Sequence, residues 1–195
     1  PPSAQQTTSE CAKAPAMILM PSGQHPAGHP ILTTAAMRAA EQAMVDAGQS
    51  FALLMDRAGA QLAALAFRVA SGRRIHILCG PGNNGGDGYA AARLLAQRGA
   101  DIVVSASAPP ATDLAQAARA LWTGAVHSID APAMDGAILV DCLFGTGLSR
   151  PLDAALASHL ARHAAAAART IAADITSGLD CDSGALLGCP YRADI

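Results

Sequence analysis

Residues 75–89 read IHILCGPGNNGGDGY, and this stretch decides the fold because an apolar run passes directly into a turn crowded with glycines. The run from Ile75 to Gly80 suits a central strand that is covered on both faces. Good helix formers from Ala90 to Arg98 then predict a helix that ends at Gly99. Ligands of open α/β sheets bind at the carboxyl ends of the strands, so the glycine-rich turn is predicted to be a binding site.

The glycine spacing alone does not make this turn an ordinary dinucleotide-binding site. Gly80, Gly82 and Gly85 satisfy G-x-G-x-x-G, but that pattern is weak without an acidic residue at the end of the second strand to hold a ribose. Asp101 has the right spacing but begins its strand, and Asp87 puts a negative charge where a pyrophosphate would bind. No Gly-Lys-Ser/Thr follows, which excludes a Walker phosphate loop.

The turn instead combines backbone N–H groups with the side-chain amides of Asn83 and Asn84 and the carboxylate of Asp87. Such a set can bind a polar ligand and a cation at the same time. A tight turn with a helix cap would account for one or two of these residues, but not for Asn-Asn-Gly-Gly-Asp-Gly in succession. We therefore interpret the segment as part of a site.

Strands and helices alternate along the rest of the chain. Two helices are predicted before the first strand, and Gly59 inside the second of them indicates close packing. The predicted elements are helices from Thr33 or Thr34 to Ala47, from Ser50 onward, at 112–123 and at 152–168, and strands at 101–106, 126–129, 138–141 and 170–173. This alternation indicates an α/β domain with right-handed crossovers between its strands.

Two later strands also end in an aspartate followed by a loop that contains glycine and serine or threonine. Asp141 and Asp174 each close an apolar run. A single carboxylate at a strand end is commonly a cap or turn residue, but two of them beside the Asn-Asn segment are explained more economically by a site. We expect both to emerge at the edge of the sheet where that segment lies.

Composition limits the functions that the chain can have. With 195 residues, of which 51% are hydrophobic, it can form one globular domain with a sizeable core. A net charge of −2 and 14% charged residues give no basic footprint, so nucleic acid and anionic membranes are not expected as partners. Five cysteines without a C-x-x-C pair argue against a disulfide framework or a zinc site, and a cytoplasmic location is the default expectation.

Two other features are interpreted as unrelated to the site. Residues 1–30 are rich in Pro, Ser, Gln and Gly, which predicts a flexible N-terminal arm before a domain at residues 31–195. His159 and His163 lie four residues apart in a predicted helix, but no glutamate accompanies them. We expect solvent-exposed or helix-end histidines and not a metal pair.

Three segments resemble the NAD(P)H-hydrate epimerase family, whose fold is also called the YjeF N-terminal domain. They are residues 80–88 (GPGNNGGDG), 140–147 (VDCLFGTG) and 174–178 (DITSG), and they occur in family order at family-like separations. Residues 54–59 (LMDRAG) resemble the early helix of this family. The resemblance covers about residues 32–194 and implies an α/β fold, namely a Rossmann-like three-layer α/β/α arrangement with a mostly parallel central sheet.

The resemblance also implies an isomerase that interconverts the R and S forms of hydrated NADH or NADPH in nicotinamide nucleotide repair. The implied substrate-binding residues are Asn83, Asn84, Gly85, Gly86 and Asp87, then Gly145, Thr146, Gly147, Leu148, Ser149, Arg150 and Pro151 for the phosphates, and Asp174 near the reacting ring. Asn84, Asp141 and Ser177 are implied to bind a potassium ion. Oxygen donors that include one carboxylate suit a large monovalent cation.

Inversion at the hydroxyl-bearing ring carbon needs a proton donor and a proton acceptor. We expect the hydroxyl to leave, which gives an iminium-like species, and water to return on the other face. Asp174 is the candidate general acid and base, with a pKa raised if the ring excludes water, because Asp141 is expected to bind the cation.

Members of the family are often dimeric, and in bacteria they are commonly fused to an ADP- or ATP-dependent dehydratase. We therefore expect a homodimer and a fused or separate dehydratase partner. Family members continue beyond the segment that resembles Tyr191–Asp194, so the C-terminus of the domain is expected to be incomplete.

Two alternatives to an epimerase stay open. Relatives of this fold serve as non-catalytic modules that bind ligands or proteins. An ordinary NAD-dependent dehydrogenase is less favoured, because the acid that should end the second strand and a hydride-transfer constellation are both missing.

Overall fold

The computed structural model describes residues 32–188 and 191–195, and the predicted arm at residues 1–30 lies outside them. The elements are helices α1 (Thr34–Asp46), α2 (Phe51–Ala70), α3 (Asn83–Gln97), α4 (Asp113–Leu121) and α5 (Ala154–Ala166), and strands β1 (Ile75–Cys79), β2 (Ile102–Ala106), β3 (His127–Ser128), β4 (Ile138–Cys142) and β5 (Arg169–Ala172). Their bounds agree closely with the predicted ones, except at the start of α3. None of these helices is both long and apolar enough to cross a membrane.

The strands form one parallel sheet in the order β3-β2-β1-β4-β5. The central strand is β1, where Ile75 lies opposite Ile102 of β2 and Ile138 of β4. The chain first adds strands on one side of β1 and then crosses to its other side at β4, so the strand order reverses between these two strands. Ligands of open α/β sheets bind at such a reversal, beyond the carboxyl ends of the strands.

Helices cover both faces of the sheet, which explains why the strands are apolar on both sides. On one face, α2 and α3 pack on β1 and β4, where Ile77 and Val140 are fully buried. On the other face, Leu160 of α5 shares an apolar cluster with Leu78 and Leu139. The expected three-layer α/β/α fold with a parallel central sheet is therefore confirmed.

Small residues bring α2 and α3 close together. A Cβ on Gly59 of α2 would lie only 2.6 Å from the Cβ of Ala90 in α3. Ala63 and Ala66, further along α2, are fully buried in the same core. The glycine inside α2 therefore serves close helix packing, as predicted.

The histidines of α5 were expected to be solvent-exposed or at the helix end, and His163 lies in the last turn of the helix, where it is buried. It follows Ala157 and Leu160 at three-residue intervals on the helix face that packs on the sheet. Its Nε2 lies 2.8 Å from the carbonyl oxygen of Ile129, and its ring meets the ring of His76 edge-on. The apolar residues of α5 determine which face of the helix packs on the sheet, and one polar residue on that face does not change this. His163 is therefore buried because of its spacing from these residues, although its side chain is polar.

The C-terminal residues pair with the outer edge of β5. The Ile195 N–H donates to the carbonyl oxygen of Thr170 at 3.2 Å, and the Ala172 N–H donates to the carbonyl oxygen of Ile195 at 2.8 Å. These two bonds follow the parallel pattern, so Ile195 covers the outer edge of β5 at this point. The incomplete C-terminus of the domain stays a prediction.

Candidate active site

A cleft of about 860 Å³ lies where the strand order reverses. Its walls come from the segments that follow β1, β4 and β5, together with side chains of α1 and α2. Clefts that bind small molecules and cofactors commonly measure roughly 300–1,000 Å³. The cleft is therefore large enough to take up a sizeable organic ligand.

The glycine-rich segment that follows β1 is the first part of α3, whereas the sequence predicted a turn that reached Tyr89. A side chain at Gly85 would collide with the carbonyl group of Gly80, and a Cβ on Gly86 would lie 2.6 Å from the Met55 side chain. The glycines therefore let the helix begin directly against β1 and α2. The low helix propensity of glycine misled the prediction because tertiary packing overrides it here.

Of the five residues predicted to bind substrate in this segment, Asn83, Asn84 and Asp87 line the cleft. The other two, Gly85 and Gly86, are buried and are absent from its walls. Their contribution in this structure is the close packing that positions the three polar side chains.

Asp87 is the group of the cleft whose titration is most strongly altered. Partial burial, and then the nearby negative charges of Asp174 and Glu41, raise the pKa of Asp87 to about 7. Near neutral pH its carboxyl group is therefore divided between the neutral and the charged form. A group in this state can both donate and accept a proton.

The predicted phosphate-binding loop follows β4 and is divided between the cleft and the surface. Its first four residues line the cleft, namely Gly145, Thr146, Gly147 and Leu148. Its last three residues are exposed and do not line the cleft, namely Ser149, Arg150 and Pro151. The part of the loop nearest the sheet is thus the part that a ligand in the cleft can reach.

Asp174, directly after β5, is held in place by three local features. Its backbone has a φ of +65°, in the left-handed region that few residues other than glycine adopt. Its Oδ2 accepts a hydrogen bond from the Thr146 N–H at 2.7 Å. The same oxygen lies so close to Gly145 that any side chain there would collide with it. These features fix the carboxylate in the cleft against the loop that follows β4.

Asp141 lies beneath the loops, although the sequence suggested that it would emerge at the sheet edge. It is fully buried, and it accepts hydrogen bonds from the Ser177 hydroxyl at 2.7 Å and the Ser177 N–H at 3.0 Å. The Leu143 N–H and the Tyr191 hydroxyl also donate to it, and the Phe144 N–H donates to the Ser177 hydroxyl oxygen. Burial raises the pKa of Asp141, and these hydrogen bonds oppose that rise. The network ties the loops after β4 and β5 together.

Asn84 is the residue of the site that lacks partners. Its Oδ1 and Nδ2 atoms are buried, and neither forms a hydrogen bond with the described residues. Leaving such an atom unsatisfied costs about 1–3 kcal/mol, so a ligand or ion would be expected to meet the amide. The amide carbon lies 3.4 Å from where a Cβ of Gly145 would be, next to the carboxylate of Asp174. The three residues expected to bind potassium thus offer an unpartnered amide oxygen, a carboxylate and a hydroxyl, which are donor types that fit a hard cation.

Sequence reasoning missed the contribution of α1. Met37, Arg38 and Glu41 of this helix line the cleft, and no residue of α1 is buried. Arg38 and Glu41, a charged pair three residues apart beside Met37, were the available signal that this helix borders a site. Tyr191 was noted in the family segment but not as a partner of Asp141.

Comparisons with known proteins identify the family to which the chain belongs. The sequence model of a family described as "YjeF-related protein N-terminus" matches residues 52–195. An NAD(P)H-hydrate epimerase of Bordetella pertussis is 42% identical over 143 residues, which are 70% of this chain and 62% of the relative. An NAD(P)H-hydrate epimerase of Cereibacter sphaeroides is 38% identical over 188 residues, which cover 82% of this chain and 86% of the relative.

Two further comparisons concern a longer protein and the fold. A bifunctional NAD(P)H-hydrate repair enzyme Nnr of Thermofilum pendens is 38% identical over 157 residues, which cover 73% of this chain and 30% of that enzyme. The crystal structure of the yeast protein ynu0 has a TM-score of 0.68 at 20% identity and covers 81% of this chain and 75% of that one. The chain thus spans less than two thirds of the Bordetella relative, and the yeast structure shows the fold alone.

Proposed function

This chain belongs to the family described as YjeF-related protein N-terminus, and from that premise we propose that its cleft interconverts the two epimers of hydrated NADH or NADPH. The names of the relatives, NAD(P)H-hydrate epimerase, support this substrate and this isomerase activity. The observation that carries the proposal is the pair of carboxyl groups, Asp87 and Asp174, that border one cleft in different environments. Pairs of carboxyl groups with different environments commonly divide the roles of acid and base.

The chemistry explains why two such groups are useful. The substrate carries a hydroxyl on the ring carbon next to the ring nitrogen, and the nitrogen lone pair can expel that hydroxyl once it is protonated. Water then returns on the opposite face and releases one proton, so the overall reaction consumes no acid or base. We assign the general acid and base role to Asp174, with Asp87 as the partly protonated neighbour that keeps a proton available near neutral pH.

The charge of the cleft suits the intermediate of this reaction. Loss of the hydroxyl leaves a positive charge on the ring, next to a wall that carries the carboxyl groups of Glu41, Asp87 and Asp174. Fixed negative charges stabilise such a species more than the neutral substrate, which is the condition for rate acceleration. The hydrogen bond from the Thr146 N–H to Asp174 holds one of these charges in position before the substrate binds.

We also propose that Asn84, Asp141 and Ser177 hold a potassium ion. When bound, this cation would offset the negative charge of the dinucleotide. The unpartnered amide of Asn84 supports the proposal, since its oxygen is buried without a donor among the described residues. Ser177 would keep the two loops together in either case, because its hydroxyl donates to Asp141 and accepts from the Phe144 N–H.

A homodimer, a fused or separate ADP- or ATP-dependent dehydratase and a cytoplasmic location are further proposals. The bifunctional relative of Thermofilum pendens supports a repair partner for this domain. Sedimentation of the purified chain across a range of concentrations would test the dimer, and the proposal requires a mass that doubles.

The function is tested with one resolved epimer of hydrated NADH, followed by chromatography as it approaches equilibrium with the other epimer. The wild-type chain should accelerate this approach, more so with potassium than with tetramethylammonium as counter-ion, and Asn84→Ala should lose the potassium effect. Asp174→Asn should lower the rate by a factor of about 100 or more, the usual contribution of general acid–base catalysis. The exposed Asp135, which does not line the cleft, provides the matched control Asp135→Asn.

Absence of acceleration by the wild-type chain would reject the epimerase and favour a non-catalytic binding module. Full turnover by Asp174→Asn would reject the assigned role of that residue but not the function. Consumption of NADH with a trial carbonyl substrate would instead revive the dehydrogenase alternative.

A further inference from the structure

The helix α1 borders the cleft without being part of the core. None of its residues is buried, yet three of its side chains line the cleft. Its N-terminus is attached beside the loop that follows β5, because the Thr34 N–H donates to the Asp182 carboxylate at 2.8 Å and the Thr34 hydroxyl lies 2.8 Å from the Cys181 sulfur. An exposed helix that is anchored at the rim of a cleft is suited to contacting a ligand rather than to supporting the fold.

The charges that line the cleft are unbalanced for a phosphorylated ligand. Glu41, Asp87 and Asp174 bring carboxyl groups, and Arg38 is the one basic side chain among the described residues of the lining. A dinucleotide carries two negative charges on its diphosphate, so it would meet repulsion unless a cation lies near its phosphates. The exposed arginine of α1 is the side chain of the cleft lining that can offset this repulsion.

Arg38 lies over the loop that the family resemblance links to phosphates. One of its terminal nitrogens, Nη2, is 3.7 Å from where a Cβ of Gly147 would be. No salt bridge joins Arg38 to another described residue, although three arginines elsewhere in that part of the chain are paired with aspartates. Its guanidinium group is thus free to bind an anion, and its planar fork of donors matches two oxygens of a phosphoryl group.

We propose that Arg38 binds a phosphoryl group of the dinucleotide, together with the loop from Gly145 to Leu148, and so closes the cleft from the side of α1. The inference rests on the proposed function for the identity of the ligand. The diphosphate is the favoured source of the phosphoryl group, since every dinucleotide substrate carries it. A phosphate on the ribose, present only in the NADPH form, is the other source, and the experiment separates the two.

The test measures the affinity of the purified chain for ADP-ribose by calorimetry, which needs no turnover. Arg38→Gln should weaken binding about tenfold or more, the usual effect of losing a charge-assisted hydrogen bond, and Arg38→Lys should recover part of it. Arg68→Gln is the matched control, because Arg68 is an exposed arginine of α2 that does not line the cleft. Thermal unfolding should be unchanged in Arg38→Gln, since α1 has no buried residue.

Repeating the measurement with the ribose-phosphorylated form of ADP-ribose shows which phosphoryl group Arg38 binds. An equal loss for both ligands assigns Arg38 to the diphosphate, and a loss confined to the phosphorylated form assigns it to the ribose phosphate. The proposal is overturned if Arg38→Gln binds both ligands as tightly as Arg68→Gln, or if the wild-type chain binds neither. Arginine-dependent binding without epimerisation would reject the proposed function and leave the phosphate contact intact.

Discussion

Replacing Asp87 with asparagine should stabilise the folded protein by an amount that increases with pH. In the folded chain, burial and the carboxylates of Asp174 and Glu41 raise the pKa of Asp87 from 3.8 to about 7. A carboxyl group with a raised folded pKa holds its proton more tightly in the folded than in the unfolded state. The wild-type protein therefore pays no penalty below the unfolded pKa, loses stability as the pH rises between the two values, and carries the full penalty above the folded one.

The size of the effect follows from the two pKa values of Asp87. Their difference of about 3 pH units corresponds to about 4 kcal/mol as an upper bound, at about 1.4 kcal/mol for each unit. Because the cleft is open to solvent, which screens the charges, we expect about 2 kcal/mol. Asparagine keeps the shape of the side chain but cannot ionise. Asp87→Asn should therefore be more stable than wild type at pH 8, and this gain should shrink as the pH falls and vanish below the unfolded pKa of 3.8.

The assay is urea unfolding of the wild type and Asp87→Asn at a series of pH values, with tetramethylammonium as the only monovalent cation. The difference between the two proteins isolates Asp87 from other groups that titrate, and Asp135→Asn serves as an exposed control that should show no pH-dependent difference. The reasoning is refuted if Asp87→Asn differs from wild type equally at pH 5 and pH 8, or if it is the less stable protein at pH 8.

Three other substitutions test the packing and the buried polar groups, each by the free energy of unfolding in urea. Gly59→Ala should destabilise the protein by about 1–3 kcal/mol, because the new Cβ would lie 2.6 Å from that of Ala90. Ser177→Ala should cost about 1–3 kcal/mol, because buried Asp141 loses a hydroxyl donor at 2.7 Å. Burial lowers the pKa of His76 from 6.5 to about 4, so this residue should cost the wild type up to about 3 kcal/mol as the pH falls between these values. His76→Gln should lose less stability over this range, and the loss that remains is due to His163, whose pKa burial also lowers.

Each of these substitutions has a matched control in the chain. Gly82→Ala places a Cβ where no atom lies within 4 Å, and Ser183→Ala removes a hydroxyl that donates to the exposed carboxylate of Asp180. His159→Gln changes a histidine at the surface of α5 that has no part in the lowered pKa of His76. The packing argument fails if Gly59→Ala is as stable as Gly82→Ala. The hydrogen-bond argument fails if Ser177→Ala matches Ser183→Ala, and the histidine argument fails if His76→Gln retains the whole acid-induced loss.

The strands and most helix boundaries could be predicted from sequence because they depend on local signals. Buried parallel strands are apolar throughout, and residues such as Ser50 and Thr112 cap the helices that follow them. The start of α3 could not be predicted in this way. Its glycines are unfavourable in an isolated helix and become favourable only when Gly85 and Gly86 lie against Gly80 and Met55.

The predicted site was clearer in its location than in its internal arrangement. Strand ends placed Asn84 and Asp174 at the edge of the sheet where the cleft lies, because parallel strands bring their carboxyl ends together. The burial of Asp141 depends on Ser177 and Tyr191, which are 36 and 50 residues away in the chain. Partners at such separations leave no periodic signal. Arg38 was missed for a similar reason, since its helix precedes the sheet and reaches the cleft only in the folded chain.

The most direct test of the proposed chemistry is to run the reaction in water enriched in the heavy isotope of oxygen, starting from one unlabelled epimer of hydrated NADH. If the hydroxyl leaves and water returns in the cleft, every inverted molecule formed by the wild-type chain should carry one solvent oxygen, after subtraction of the uncatalysed reaction. Asp174→Asn should slow inversion and labelling together, by the same factor of about 100 or more. Catalysed inversion that leaves the original oxygen in place, or no catalysed inversion at all, would contradict the account.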